Sequence, residues 1–519
     1  MAIPYTFSGQ TGIIPLSELD SNFSSFASTT DATQGSSLVG YLPAGSGAVG
    51  TTVQAKLRES VSVLDFGATG NGSTDDTAAI QAALDSGALS IYAPSGTYRV
   101  TATINITRPV TFYGDGLANT IFSQATNFDV FYIYNGVGVM SGVNMFNFGI
   151  TNTQASASVT SGAGIKLYKV YYSQFSNITI TNTYIGIDST QSNVTKYNGV
   201  NVTNFNYVGY WFHGGSCFDS YVANCAISGG SAGFASVYLQ DQCDEMTFYS
   251  VIMNTSQYNL YTDATAYGVN LRPEFCRFFA CSFDSSTTGV FLRRCTDMTF
   301  TGCFFSNRPG NGLQIGTTAI TENVVFLGCT FFNNGGSGAV IGEFAANTVF
   351  DDCNFIGNST TTLNTGNGLS VAANAIDFTI TNCNFRNGWG SVGSQNYGLA
   401  IAAGTSDRFV IANNNFGTNG TGGNVLMGAT GTNRHVTNNI GFVTKNSGNA
   451  TILNGTTSIV VTHGLGSQPL SQDIIITPRL LPTVAVYISA LSATTFTISA
   501  AGAVGADTPL NWVATILKA

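Results

Sequence analysis

Asp241, Glu245, Glu274 and Glu343 fall in the middle of a 519-residue chain in which only 9% of residues are charged. Arg272, Arg293 and Arg294 lie among them, and Trp211, His213 and Tyr238 just precede them. Cleavage of a glycosidic bond needs two carboxyl groups, one protonated to assist the leaving oxygen and one ionised to activate water or attack directly. Aromatic rings suit the C–H faces of sugars, while carboxylates and guanidinium groups bond to hydroxyls. On this pattern Asp241 and Glu274 are the expected acid/base pair, with Glu245 and Glu343 in reserve. Trp211, His213, Tyr238, Arg272, Arg293 and Arg294 are the expected substrate contacts, the arginines orienting an acidic sugar. The competing readings of the same residues are an oligomer interface and a solvated salt-bridge cluster.

Other chemistries find less support. His435 and His463 read as turn or packing residues, three histidines spread over distant units make no metal site, and the cysteines lack paired C-x-x-C spacing. Neither a G-x-S-x-G turn nor a Walker-type loop is present. No metal or other cofactor is therefore expected. "DFGATGNGSTDD" at residues 65–76 could pass for a phosphate cradle. Its aspartates argue against an anion, and it reads as bends leading into a short helix. Ser73 is the expected N-cap, Asp75 and Asp76 lie in the first turn, and Gly87 is the stop.

The elements that must position these residues come from a repeat. "FFACSF", "FTGCFF", "FLGCTF", "FDDCNF" and "ITNCNF" set Cys281, Cys303, Cys329, Cys353 and Cys383 two residues before a phenylalanine, and the series extends in both directions at steps of 22 to 31 residues. A second column, Gly followed by apolar-x-apolar, runs out of phase with it: "GIKL", "GYWF", "GVNL", "GVFL", "GLQI", "GAVI", "GLSV" and "GLAI". Short alternating segments at such a period predict an all-β, right-handed parallel β-helix of about 11–12 coils, stacked at about 4.8 Å. The cysteines should be buried free thiols, because in-register neighbours along a parallel ladder do not supply disulfide geometry. A third column, Asp219, Asp244, Asp297, Asn323, Asn347, Asp377 and Asp407, reads as turn residues entering a strand. With Tyr210 and Phe212 inside, the alternation turns Trp211 and His213, Tyr238 and Gln240, Asn270 and Arg272, Phe291 and Arg293, and Gln314 outwards. Asp241 and Glu274 then follow equivalent strands of adjacent coils.

The net charge of −9 and the lack of any basic run exclude a nucleic-acid backbone or an anionic membrane surface as a natural partner. No apolar window of about 18 residues predicts a membrane span. No cation precedes Lys56, so a secretory signal is not expected, and synthesis in a cytoplasm is.

"VSVLDFGATGNGSTDDTAAIQAALD" with "IYAPSGTYRV", preceded by "VQAKLRES", resembles the opening of the pectate-lyase-like superfamily as found in bacteriophage tailspikes; with the repeat, the resemblance covers residues 54 to 445. It implies a homotrimer located in the virion tail, and "MAIPYTFSGQTGIIPLSELDSNF" is similar to segments that attach phage tail proteins to the tail or baseplate. The expected organisation is an attachment segment and linker at 1–53, a capping region with the helix and first strands at 54–120, and the parallel β-helix at 121–445. A small antiparallel β-domain at 446–519 follows, for trimerisation or glycan binding, with Trp512 in its core. The expected function is recognition and depolymerisation of a bacterial capsule or O-antigen by glycoside hydrolysis. A non-catalytic receptor-binding spike and a polysaccharide lyase are the alternatives.

Overall fold

A computed structural model describes residues 13–516 except 14, 31–32, 137, 231, 266–270 and 389–394. The chain winds into a parallel β-helix whose coils each contribute to three ladders. One ladder is a sheet of 13 parallel strands running from Ile104–Ile106 to Gly423–Ala429. The second runs through Lys196–Phe205, Thr247–Tyr249, Arg277–Phe279 and Thr296–Thr301, and the third through Ile252–Asn254, Ser282–Asp284 and Phe304–Ser306. Thirteen strands exceed the 11–12 expected coils because the first coils carry neither the cysteine nor the glycine signature.

Register explains both sequence columns. Phe283, Phe305, Phe331, Phe355 and Phe385 stack at ring separations of 4.8, 4.6, 4.7 and 4.6 Å, which is the coil spacing itself. Beside them Cys281, Cys303, Cys329, Cys353 and Cys383 form an inward thiol ladder, and Cys217 and Cys243 pair on a second inward column that the sequence pattern did not reveal, with Cys276 Sγ donating to the Cys243 carbonyl. All ten cysteines are free and buried. The glycine column sits at a corner with no room for a side chain: a Cβ on Gly209 would lie 2.3 Å from Ile227 Cγ2, and one on Gly338 2.6 Å from the Gly368 carbonyl oxygen.

The Asp/Asn column marks a left-handed bend. Asp219, Glu245, Phe275, Asp297, Asn323, Asn347, Asp377 and Arg408 all have φ between 52 and 56°. Asn and Asp tolerate that region best, which is why they dominate it. Asp244 and Asp407 stand one residue before the bend, where Glu245 and Arg408 take the strained conformation.

At the N-terminal end, "DFGATGNGSTDD" is structural, as expected, but its cap differs. The helix spans Thr77–Asp85 with Asp76, not Ser73, at the N-cap; its C-cap is Ser86, with Gly87 following at φ 87°. Asp76 is 1% exposed, and its carboxylate accepts the Thr69 and Gly70 amides at 2.7 and 3.1 Å, fastening the glycine bends to the helix start. Asp75 lies in the strand Asn71–Asp75, so neither carboxylate occupies the helix's first turn. Ile80, Ala83 and Leu84 bury against the first coils. Beyond the last coil two three-stranded antiparallel sheets hold Lys445–Ile452, Ile474–Pro478 and Thr508–Thr515, and Ser458–Thr462, Val486–Leu491 and Thr495–Ala500. Trp512 is buried there against Phe496, and His463 is fully buried, its Nδ1 accepting the Leu465 amide. Among the described residues, no helix is long and apolar enough to cross a membrane.

Buried thiols should be inert until the coils open. A thiol-reactive reagent is expected to titrate none of the ten in the native protein and all ten in denaturant without reductant; fewer than ten would reveal disulfides.

Candidate functional site

The outer surface of the 13-stranded sheet carries the aromatic face. Register aligns Tyr132, Lys166, Asp188, Trp211, Tyr238, Tyr261, Phe291 and Gln314 in one outward column. Trp211 lies parallel to Tyr238 at 5.9 Å and to His213 at 4.0 Å, and its indole N–H donates to Gln240 Oε1. Tyr238 was expected to be exposed but is only 8% so. It sits in a satellite cluster with Val208, Ala235, Phe234 and Tyr261, so Trp211 is the more exposed ring of the two and Tyr238 backs it. Burial, helped by the charge of Asp263, raises the Tyr238 hydroxyl well above the usual tyrosine range.

His213 is not free. Its Nε2 lies 2.7 Å from Asp188 Oδ1 and 3.1 Å from Thr190 Oγ1, and Asp188 also faces Lys166, whose other partner is Asp129 at 3.2 Å. On the C-terminal side, Arg293 bonds Asp263 at 2.9 Å and the Tyr261 hydroxyl at 3.3 Å, while Arg294 reaches Asp263 at 3.5 Å and the Ala264 carbonyl. Asp129, Asp188 and Asp263 are thus members of this face that sequence reasoning passed over.

One coil departs from the expected register. Its main-sheet strand is Tyr258–Asp263, while Gly268, Val269 and Asn270 of "GVNL" lie outside the described residues. Leu260-Tyr261-Thr262 carries the alternating phase without the glycine that marks its neighbours, and that is how it was missed. In consequence Arg272 and Glu274 do not follow a main-sheet strand. Glu274 pairs with Asp244 on one side and Thr296 on the other, in a short ladder at the bend, and Thr296 pairs in turn with Glu322.

Asp241 is therefore not the ladder neighbour of Glu274. Its amide pairs with the Asp263 carbonyl, it adopts φ 59°, and its Oδ1 accepts the Thr265 amide at 2.6 Å, the work of a turn residue. Glu245 is an exposed bend residue whose amide donates to the Glu274 carbonyl. Glu343 is exposed past the strand Ala339–Ile341, three rungs and about 14 Å along the axis from Tyr258–Asp263. The structure brings neither to the ladder position beside Glu274.

What it does bring there is Asp244. Asp244, Glu274 and Glu322 stand in one column before the bend, Asp244 and Glu274 on adjacent rungs about 4.8 Å apart. Arg272 clamps the column, its Nε 3.2 Å from Glu274 Oε1 and its Nη1 3.2 Å from Glu322 Oε2. Glu274 is 8% exposed and held by its guanidinium partner, whereas Asp244 Oδ1 is buried with no hydrogen-bond partner. Burial, reinforced by the neighbouring Glu274 charge, pushes the Asp244 carboxyl up to about 6. The two neighbouring carboxyl groups thus sit in unlike surroundings, one without a partner on Oδ1 and the other clamped by a guanidinium group. The signal that could have found Asp244 is its offset: it precedes the bend where other members of its column form it.

Comparisons with known proteins agree on the fold. Residues 60–290 match the family model described as rhamnogalacturonase A/epimerase, pectate lyase-like, and residues 219–385 and 266–440 match that of the right-handed β-helix region. No curated protein sequence matches. Among solved structures, tailspike protein 3 of bacteriophage CBA120 superposes with a TM-score of 0.60 at 19% identity, over 82% of this chain and 69% of that one. The tailspike gp49 of Pseudomonas phage LKA1 gives 0.58 at 15% identity, over 88% and 99%. The A-module of the Azotobacter vinelandii mannuronan C-5 epimerase AlgE6 gives 0.56 at 14% identity, over 73% and 98%. The chain has the right-handed parallel β-helix fold that these structures share, and its residues 60–290 match the pectate-lyase-like model.

The raised Asp244 carboxyl carries a stability consequence. Its folded value lies above the unfolded one, so the cost is absent below about pH 4, grows as pH rises through about 6 and is full above that. Asp244→Asn should therefore raise the thermal midpoint at pH 7.5, by the equivalent of roughly 2 kcal/mol, and leave it unchanged at pH 4; melting curves at the two pH values check this.

Proposed function

We propose that this protein is a phage tailspike that binds a bacterial surface polysaccharide along the face from Lys166 to Arg294 and hydrolyses it at the Asp244–Glu274 pair. The observation that carries this reading is the pair itself. Asp244 is half-buried, lacks a partner on Oδ1 and holds its proton to about pH 6, while its ladder neighbour Glu274 is paired with Arg272 at 3.2 Å. In the reaction Asp244 gives its proton to the leaving glycosidic oxygen. Glu274 attacks the anomeric carbon from the opposite face, water deprotonated by Asp244 then releases the sugar from it, and Arg272 fixes the orientation of Glu274. Trp211 offers the ring on which a sugar rests, and Gln240 and His213 border it with hydrogen-bonding groups. The likeness of two phage tailspikes and a polysaccharide epimerase in fold supports a carbohydrate as the substrate class.

The same reading includes a homotrimer in the virion tail, attached through the N-terminal segment to tail or baseplate proteins. An exposed apolar stripe on the second and third ladders, with Tyr249, Ile252, Phe304 and Leu327 each at least 37% exposed, is the surface such packing would cover. A binding-only spike is the competing reading, and a lyase, suggested by the epimerase likeness, is the other. Digestion of a host polysaccharide with mass measurement of the fragments separates the three. Hydrolysis adds water at each cut, elimination leaves an unsaturated end that absorbs ultraviolet light, and a binding protein yields no fragments.

Asp244→Asn and Glu274→Gln should each lower fragment release by about a hundredfold or more while polysaccharide binding persists. Asp241→Asn should keep most of the activity. Full activity in both of the first two variants, followed by reducing-end assay, would remove the pair from the reaction.

A further inference from the structure

Resting on this functional reading, we infer that the site accepts a glycan segment without anionic substituents and rejects polyuronates and sialylated chains. The cations of the face are already neutralised. Lys166 is held by Asp129 and Asp188, Arg272 by Glu274 and Glu322, and both Arg293 and Arg294 by Asp263. Lys169 rests over the Tyr168 ring at 5.1 Å, and the exposed Arg277 belongs to the adjoining ladder, past the bend. The carboxylates, in contrast, outnumber these cations: Asp129, Asp188, Asp241, Asp244, Glu245, Asp263, Glu274 and Glu322 all border the stripe.

An acidic sugar laid over this surface would meet like charge and find Lys166, Arg272, Arg293 and Arg294 each already paired with a carboxylate, in a chain whose net charge is also −9. A neutral hexose meets what it needs: acceptor oxygens for its hydroxyls, the amide of Gln240 and an indole face on Trp211. The arginines therefore serve to aim carboxylates, not to read a uronate, which reverses the expectation drawn from the residue types alone. Asp263 is the decisive side chain, because a single carboxylate there occupies two guanidinium groups.

The test uses the full-length protein and two probes of one backbone, polygalacturonate and its carboxyl-reduced neutral form, by calorimetry at low salt. Wild type should show no affinity for polygalacturonate, and Asp263→Asn, which frees Arg293 and Arg294, should gain at least about tenfold over wild type, lost again at high salt. Should that variant fail to fold, Glu322→Gln, which relieves one of the two carboxylates on Arg272, takes its place with the same expectation. Binding of polygalacturonate by wild type more tightly than of the reduced form overturns the inference, and so does the absence of any gain in a folded variant. Failure to bind any surface polysaccharide from a panel of bacterial strains would instead remove the functional reading, while leaving the charge result to stand.

Discussion

Every coil of this protein satisfies its backbone through the coil above and the coil below. Parallel pairing fixes the rise at about 4.8 Å and admits no slip, because a one-residue shift would turn each buried ring into solvent. All else in the molecule obeys that register. Phenylalanines stack ring on ring at 4.6 to 4.8 Å, thiols line up beside them, and glycines occupy the corner where a Cβ would strike the neighbouring coil. The bend column is the same constraint expressed in φ: coil after coil turns left-handed at the same corner, and the residue there is whatever tolerates it.

The proposed chemistry uses the position next to that bend. A side chain one residue before it points outward and has a counterpart on each adjacent coil, so two carboxylates placed there are held one rung apart by backbone that cannot drift. Asp244 and Glu274 occupy such neighbours, and Arg272 reaches past Thr296 to join Glu274 to Glu322. Rigidity has a cost at this point. An ionised Asp244 without a hydrogen bond on Oδ1 is unfavourable, and its retained proton is the molecule's response. On the three coils just before that of Asp244, the Lys166–Asp188–His213 network ties neighbouring rungs beside Trp211, so this face is held across coils as the Asp244–Glu274 pair is.

The fold was largely legible because a ladder repeats itself in sequence: cysteine before phenylalanine, and glycine before alternating apolar residues, each name one corner of a coil. The site was less so. Trp211 and His213 were placed correctly on the outer face, since strict alternation decides it, but the burial of Tyr238 depends on Phe234 and Val208, which project from just outside the alternating stretch. Glu274 was misregistered by a strand without its glycine, and Asp244 was hidden among aspartates that form turns. Both errors are a matter of one position in a periodic pattern, and the ladder pairing of Asp244 with Glu274 is a long-range contact that no local signal reports.

The central claim is that Asp244 and Glu274 act together across one rung of the ladder. Side chains carried on adjacent rungs about 4.8 Å apart suit the roughly 5 to 5.5 Å separation of retaining enzymes, whereas inverting enzymes need roughly 6.5 to 9.5 Å. Proton NMR of the newly formed reducing ends, recorded within the first turnovers on a depolymerised host polysaccharide, reads the anomeric configuration directly. The same anomer as in the polymer is the expected result, and the opposite anomer would contradict a pair acting across a single rung.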